Sequence, residues 1–232
     1  MTADRSIARG AAIPSKPAGE KTGANLDHER LLYDQGYRLI AGIDEAGRGA
    51  WAGPVYAGAV ILPLELPDLN DLLDGVNDSK LLSPQRRERL LKVIQTVALT
   101  FGLGSASAAE IDRWGIVPAT RLAMERAIGA LSPRPQALLL DYIQLPQVEL
   151  PQRSLPKADR HCLSVAAASI VAKVSRDGWM VRLHKELPGY GFCRHKGYGT
   201  TAHRSALERL GPSRVHRMSW EPLKSCAARW RK

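Results

Sequence analysis

Residues 38–63, RLIAGIDEAGRGAWAGPVYAGAVILP, hold the reading that decides the fold. The first part, RLIAGIDEA (38–46), is an apolar run that ends in two acids, Asp44 and Glu45, and is bounded by glycines, as a buried strand would be. After a glycine-rich turn comes AGPVYAGAVILP (52–63), a β-branched run expected to be the next strand and to pair with the first as a hairpin. Neighbours on a regular strand point to opposite faces, so Asp44 and Glu45 share one site only if the strand ends or kinks at them. Gly47 and Gly49 supply such a break.

Outward from this core the pattern changes from strands to alternating strands and helices. A short helix is expected at 27–36, stopped by Gly36. Ser83 and Pro84 start another, with Ser as N-cap and Pro at the first helical position. TVALTFGLGSA (96–106) reads as a third strand, and Ser107 with Glu110 as a capping box for a short helix. A helix over Pro118–Leu131 follows, then QALLLD (136–141), a short apolar strand with an acid at its end. A long helix runs from Cys162 to about Leu187, Ala-rich first and basic later, and one or two more fill 200–232. The expected fold is α/β, a mixed sheet flanked by helices with a helical C-terminal extension. Residues 1–26 lack periodicity and bulky apolar residues and read as a disordered tail. Asp4, Glu20 and the missing amphipathic stripe speak against a transit peptide. The expected division is 1–26 tail, 27–187 α/β domain and 188–232 basic extension.

With 232 residues, 44% hydrophobic and 24% charged, the chain has room for one packed domain with appendages. It has no apolar run of the roughly 18 residues that a membrane span needs, and its N-terminus lacks a secretory apolar core. Cys162, Cys193 and Cys226 make no CxxC pair, which suits free thiols in a reducing cytoplasm. The net charge of +10 lies wholly in residues 173–232, with 14 Lys and Arg against 4 Asp and Glu. A basic end on a neutral body suits a polyanionic partner; the alternative is a solvated basic helix surface.

Asp44 and Glu45 close one strand and Asp141 another, and Asp159 precedes the long helix. Functional groups of open α/β sheets gather at the carboxyl ends of strands, and acids there are costly unless paired, hydrogen-bonded or bound to metal. Carboxylates converging without matching cysteines or histidines make an all-oxygen site that suits Mg²⁺ or Mn²⁺. Two such ions roughly 4 Å apart can drive phosphodiester hydrolysis. Asp159 could equally be a turn residue before a helix. Gly47–Ala52 matches a dinucleotide fingerprint but leads into a strand, and Gly42–Gly47 has P-loop spacing without the Lys-Ser/Thr pair. What survives is a tight turn whose N–H groups, with Arg48, can meet a phosphate or a sugar hydroxyl. HKGYGT (195–200) places cations, glycines and Tyr198 in one loop, as nucleic-acid contacts often do, although a tyrosine in such a loop can also be a packing anchor.

Together these strings resemble the ribonuclease HII family: GIDEAGRG (42–49) with AGPV (52–55), NDSK (77–80) with Leu82-Ser83, LLLD (138–141), AAASIVAKVSRD (166–177) and YGFCRHKGYGT (190–200). The resemblance implies a ribonuclease H-like sheet and places the metal-binding, catalytic acids at Asp44, Glu45, Asp141 and Asp159. It puts a reader of the ribose 2′-OH at Gly47, Arg48 and Gly49, further substrate contacts at Lys80, Lys173 and Lys196, and a substrate tyrosine at Tyr198. It implies a monomeric, metal-dependent endonuclease that cuts 5′ of ribonucleotides in RNA–DNA hybrids or embedded in DNA, leaving 3′-OH and 5′-phosphate ends. The sequence departs from the family at Ala50 (usually Pro), Leu81 (often Lys), Tyr142 and Ala158 (both usually Gly). The rivals are a nucleic-acid-binding protein with a decayed site and a two-metal nuclease acting on DNA junctions. Truncation near Gly211 is expected to weaken duplex binding more than chemistry on bound substrate.

Overall fold

The computed structural model describes residues 23–227. Helix α1 (Asp27–Asp34) leads into the hairpin β1 (Ile40–Ala46) and β2 (Val55–Ile61); then follow α2 (Leu69–Leu72), α3 (Pro84–Val97) and β3 (Thr100–Ala106). Next come α4 (Ala108–Trp114), α5 (Ile116–Gly129), β4 (Ala137–Asp141), β5 (Gln152–Leu155) and the long α6 (Leu163–Glu186). Three short α-helices end the described residues: α7 (Phe192–His195), α8 (Thr201–Leu210) and α9 (Leu223–Ala227). The sheet order is β3-β2-β1-β4-β5, antiparallel across β3, β2 and β1, and parallel from β1 through β4 to β5. This is the expected mixed sheet flanked by helices.

One face of the sheet packs on α5 through Ile43, Leu138 and Leu140, which meet Ala123, Met124 and Ala127. Each such buried Ile or Leu contributes about 1.5–3 kcal/mol. The other face packs on α6. Its Ala-rich first half lies close to the strands because β1 and β2 present glycine there. A Cβ on Gly42 would overlap the Ser164–Val165 backbone, and one on Gly58 the Ala168 carbonyl. α6 has no capping side chain of its own; Glu29 of α1 accepts from the Ser164 N–H (2.7 Å) and hydroxyl (2.6 Å).

Several expectations change at the edges. β3 starts at Thr100 because α3 continues through Val97, and its Phe101 and Leu103 face outward from the sheet's edge. β5, four half-buried residues with a polar sequence, carries no periodic signal and is absent from the sequence reading. Residues 1–22 of the expected tail lie outside the described residues. The tail does not extend to 26, since Leu26 is buried and Asn25 bridges Cys162. Phe192, Leu207, Val215 and Leu223 form a small core with Met180 of α6 and Ala52 of the β1–β2 loop. The C-terminal helices are therefore seated against that loop. No described helix is long and apolar enough to cross a membrane.

Candidate active site

β1 and β4 run parallel with Ile43 abreast of Leu140, so the next residues, Asp44 and Asp141, emerge side by side at the strand ends. Alternation places both on the face of the sheet that carries Gly42 and Leu139 toward α6. Asp44 is 2% exposed. Its Oδ1 accepts from the Glu45 N–H (2.7 Å), while Oδ2 is buried without a partner. Burial, reinforced by the Glu45 charge, holds its pKa well above the usual carboxylate range. The strand does not kink at the acids, since the β1–β2 ladder stays in register through Ala46 and Tyr56. It ends there instead, and a cleft of about 500 Å³ off its end is lined by Asp44, Glu45 and Asp141 together. Glu45 turns to Arg48 (3.0 Å) and keeps Oε2 buried and unpartnered; burial raises its pKa despite that ion pair.

Asp159 sits in a 3-10 turn before α6, 3% exposed, outside the walls of that cleft. Lys80 connects the two: its Nζ lies 3.4 Å from Asp159 Oδ2, and its side chain lines the cleft. Burial would lower the Lys80 pKa, but the charges of Asp44, Asp159 and Asp78 outweigh it and raise the value. Burial, then Asp78, raises the Asp159 pKa. Asp141 Oδ1 accepts from the Ala158 N–H (3.0 Å), tying the third acid to the turn that carries the fourth. Among the described residues no three His, Cys, Asp or Glu side chains are drawn into a ligating cluster. Like charges in a low-dielectric cleft repel, and Lys80 offsets part of that repulsion. Two orphaned, buried carboxylate oxygens beside Asp141 nevertheless fit a hard cation.

The turn after the acids is built against two buried arginines. Gly47 has φ +93°, and a Cβ there would overlap the Arg176 guanidinium; around Gly49 the space is open. Arg176 donates to the carbonyls of Pro54 (2.9 Å), Lys196 (3.0 Å) and Ala52 (3.2 Å), joining this turn to the Tyr198 loop. Arg217 donates to the carbonyls of Gly47 (2.7 Å), Arg48 (2.6 Å) and Gly53. Tyr198 lines the cleft, with Lys173 Nζ 5.8 Å from its ring centre. Lys173 also lines the cleft and pairs with Asp177 (2.7 Å), whereas Lys196 lies in the adjoining groove with its Nζ turned back onto the Cys193 carbonyl.

Behind Tyr198 lies an imidazole pair whose protons the backbone determines. The Tyr198 carbonyl can only accept, so His203 Nδ1 carries hydrogen (3.0 Å). The Ser213 N–H donates to His216 Nδ1 (2.9 Å), so the His216 proton is on Nε2 and donates to His203 Nε2 (3.1 Å). Sequence reading missed Arg176, Arg217, His203 and His216. They belong to the basic stretch 173–232, which suits either a polyanionic partner or a solvated surface, and composition does not distinguish an inward cation from an outward one.

A ribonuclease HII family model matches residues 41–223. The chain belongs to the ribonuclease HII family. A ribonuclease HII from Roseiflexus castenholzii is 52% identical over 198 residues, covering 85% of this chain and 88% of that relative. One from Thermus thermophilus is 54% identical over 193 residues, covering 83% and 91%. The ribonuclease H2 structure from Pyrococcus horikoshii superposes with a TM-score of 0.70 at 26% identity, covering 84% of this chain and 99% of that one. A ribonuclease HIII in complex with Mn²⁺ shares the fold, with a TM-score of 0.61 at 20% identity, covering 82% and 69%. Membership in ribonuclease HII makes the protein an endoribonuclease, a hydrolase, and the ribonuclease H family is divalent-metal dependent.

Two departures from the ribonuclease HII pattern now have a structural account. Tyr142, where the family usually has Gly, is 75% exposed with φ +61°, a left-handed conformation that glycine adopts without strain. At the Lys-Ala-Asp string the left-handed residue is Lys157 (φ +58°), not Ala158, so alanine is accommodated and Asp159 keeps its turn.

Proposed function

We propose that this member of the ribonuclease HII family hydrolyses the RNA strand of RNA–DNA duplexes and cuts on the 5′ side of ribonucleotides embedded in DNA, acting as a monomer. The observation that carries the proposal is the juxtaposition of paired strand-end carboxylates, Asp44 and Asp141, with a glycine turn in one cleft. Asp44, Glu45 and Asp141, with Asp159 as fourth acid, would hold two divalent ions, Mg²⁺ or Mn²⁺. When bound, such ions supply Lewis-acid activation of the attacking water and charge stabilisation at the leaving oxygen. The water oxygen bonds to phosphorus as the bond from phosphorus to the upstream O3′ breaks, and that oxygen takes a proton, leaving 3′-OH and 5′-phosphate ends.

The chain's own residues supply position and selectivity. The free N–H groups of Arg48 and Gly49 donate to a 2′-OH, which only the ribonucleotide carries. A site built around that hydroxyl leaves polar groups unpaired when the hydroxyl is missing, which rejects DNA strongly. Tyr198 stacks on the neighbouring deoxyribose, Lys80 and Lys173 lie along the path of the phosphates, and Lys196 reaches that path by releasing the Cys193 carbonyl. The test compares three duplexes: one embedded ribonucleotide, a long RNA–DNA hybrid and all DNA. The first two are expected to be cut, with Tyr198→Ala mainly impairing the single-ribonucleotide substrate. Efficient cleavage of the all-DNA duplex would overturn the proposal.

A further inference from the structure

We infer that Arg217, in the segment between α8 and α9, is a positioning residue for cleavage, holding the Gly47–Gly49 turn with two successive N–H groups presented to the cleft. The inference rests on the proposal that this turn meets the ribonucleotide.

Arg217 is fully buried, and every hydrogen bond of its guanidinium goes to a backbone carbonyl: Gly47, Arg48 and, twice, Gly53. A buried cation is costly unless its donors are satisfied, and here carbonyls satisfy them. A trans peptide carries its C=O and N–H in opposite directions. Drawing the Gly47 carbonyl inward therefore turns the Arg48 N–H outward, and drawing the Arg48 carbonyl inward turns out the Gly49 N–H. Neither N–H has a backbone acceptor among the described residues. Two successive outward N–H groups make a concavity for a substrate oxygen. Holding both carbonyls together with that of Gly53 needs a rigid planar fork; a lysine ammonium is a single point on a flexible stem.

The segment's own docking does not depend on the guanidinium. The Arg217 N–H donates to the Trp51 carbonyl (2.8 Å), and the Met218 and Ser219 N–H groups donate to the Asp112 carboxylate (2.9 and 3.0 Å). Replacing the side chain thus leaves the strap in place and releases the turn.

The experiment measures Arg217→Lys, Arg217→Met and Arg217→Ala below their melting temperatures, with wild type and Asp44→Asn as controls. Single-turnover cleavage of a duplex with one embedded ribonucleotide is expected to fall about 100-fold, the loss typical of a misplaced reacting geometry. Duplex affinity without divalent metal should stay at the wild-type value. Relaxation of ¹⁵N in the Arg48 and Gly49 amides should show added fast motion in the variants. Sub-denaturing guanidinium ion should restore cleavage in Arg217→Ala but not in Asp44→Asn. Melting temperatures that fall while cleavage below them and amide relaxation stay as in wild type would reduce Arg217 to a structural clamp and overturn the inference. Should Arg217→Met not fold, Arg217→Lys carries the same readouts. Should wild type fail to cut any ribonucleotide-containing duplex, the proposed function falls, and the amide relaxation still decides whether Arg217 holds the turn.

Discussion

Asp44 carries a carboxylate that the protein's own groups leave half-satisfied: one oxygen is hydrogen-bonded to the next backbone N–H and the other is buried alone. Asp44→Asn is expected to lower kcat by ~1000-fold, about 4 kcal/mol of transition-state stabilisation. It should also leave the metal-free melting temperature unchanged or higher, because a charge opposed by burial and by Glu45 is removed. Near-normal turnover at saturating Mg²⁺ would refute the assignment. The two glycines of the turn should behave differently. Gly47→Ala meets both a positive φ and the Arg176 guanidinium, so it should cost more than about 1 kcal/mol of stability along with activity. Gly49→Ala enters open space and should leave stability alone while reducing cleavage; equal thermal shifts in the two variants would contradict this. At Tyr142 the left-handed backbone costs a side chain ~1–2 kcal/mol, and glycine's extra unfolded-state entropy returns part of it. Tyr142→Gly should therefore gain about 0.5–1 kcal/mol in urea denaturation. The acids were legible in sequence because strand-end position and residue type suffice. That Gly47 and Gly49 face different surroundings was not.

The loop carrying Tyr198 and the start of α8 depend on the His203–His216 pair, which accommodates only neutral rings, since a second proton would set two N–H groups against each other. Burial lowers both pKa values to about 4. The folded values lie below the unfolded 6.5, so this contribution to stability is complete above pH 6.5 and is lost as pH falls toward 4. The slope approaches roughly 1.4 kcal/mol per pH unit for each group. The buried acids with raised pKa values, Glu29 and Asp44 among them, work in the opposite sense, so the pair is read by difference: in denaturant titrations between pH 6.5 and 5 wild type should lose more stability with acidity than His216→Gln, by about one proton's slope. Slopes that coincide in wild type and His216→Gln over that interval would exclude the neutral imidazole pair. At this scale, elements with a periodic or capping signal were readable. The Ser107–Glu110 box forms as expected, and α6 falls within a residue of its predicted ends. β5 was not, because a short polar edge strand is defined by its partner β4 and not by its own residues.

Across the molecule, the cations of residues 173–232 do not all face outward. Arg176 and Arg217 point inward to carbonyls, and Lys196 is tied to its own loop. Lys173 remains in the cleft, next to the acids and to Lys80, which comes from outside this stretch. Duplex affinity measured by fluorescence anisotropy without divalent metal should still fall linearly with log salt, by about 0.9 log units per phosphate engaged. An affinity insensitive to salt would mean that the outward cations are only a solvated surface. The expectation for truncation near Gly211 changes, because the cut removes Arg217 and the strap anchored on Asp112. Chemistry on bound duplex should now suffer as severely as binding.

By themselves, the residues determined the strand hairpin, the alternation of elements around it, the strand-end acids and the family, because periodicity, capping and motif strings are local and survive without coordinates. Tertiary structure alone decided that Asp44 and Asp141 stand abreast, since that follows from the parallel register of strands nearly a hundred residues apart. It also decided that a C-terminal arginine shapes the turn after β1. Whether a cation faces a phosphate or a carbonyl depends on which side of a packed surface it falls, and a linear pattern of charges carries no record of that side.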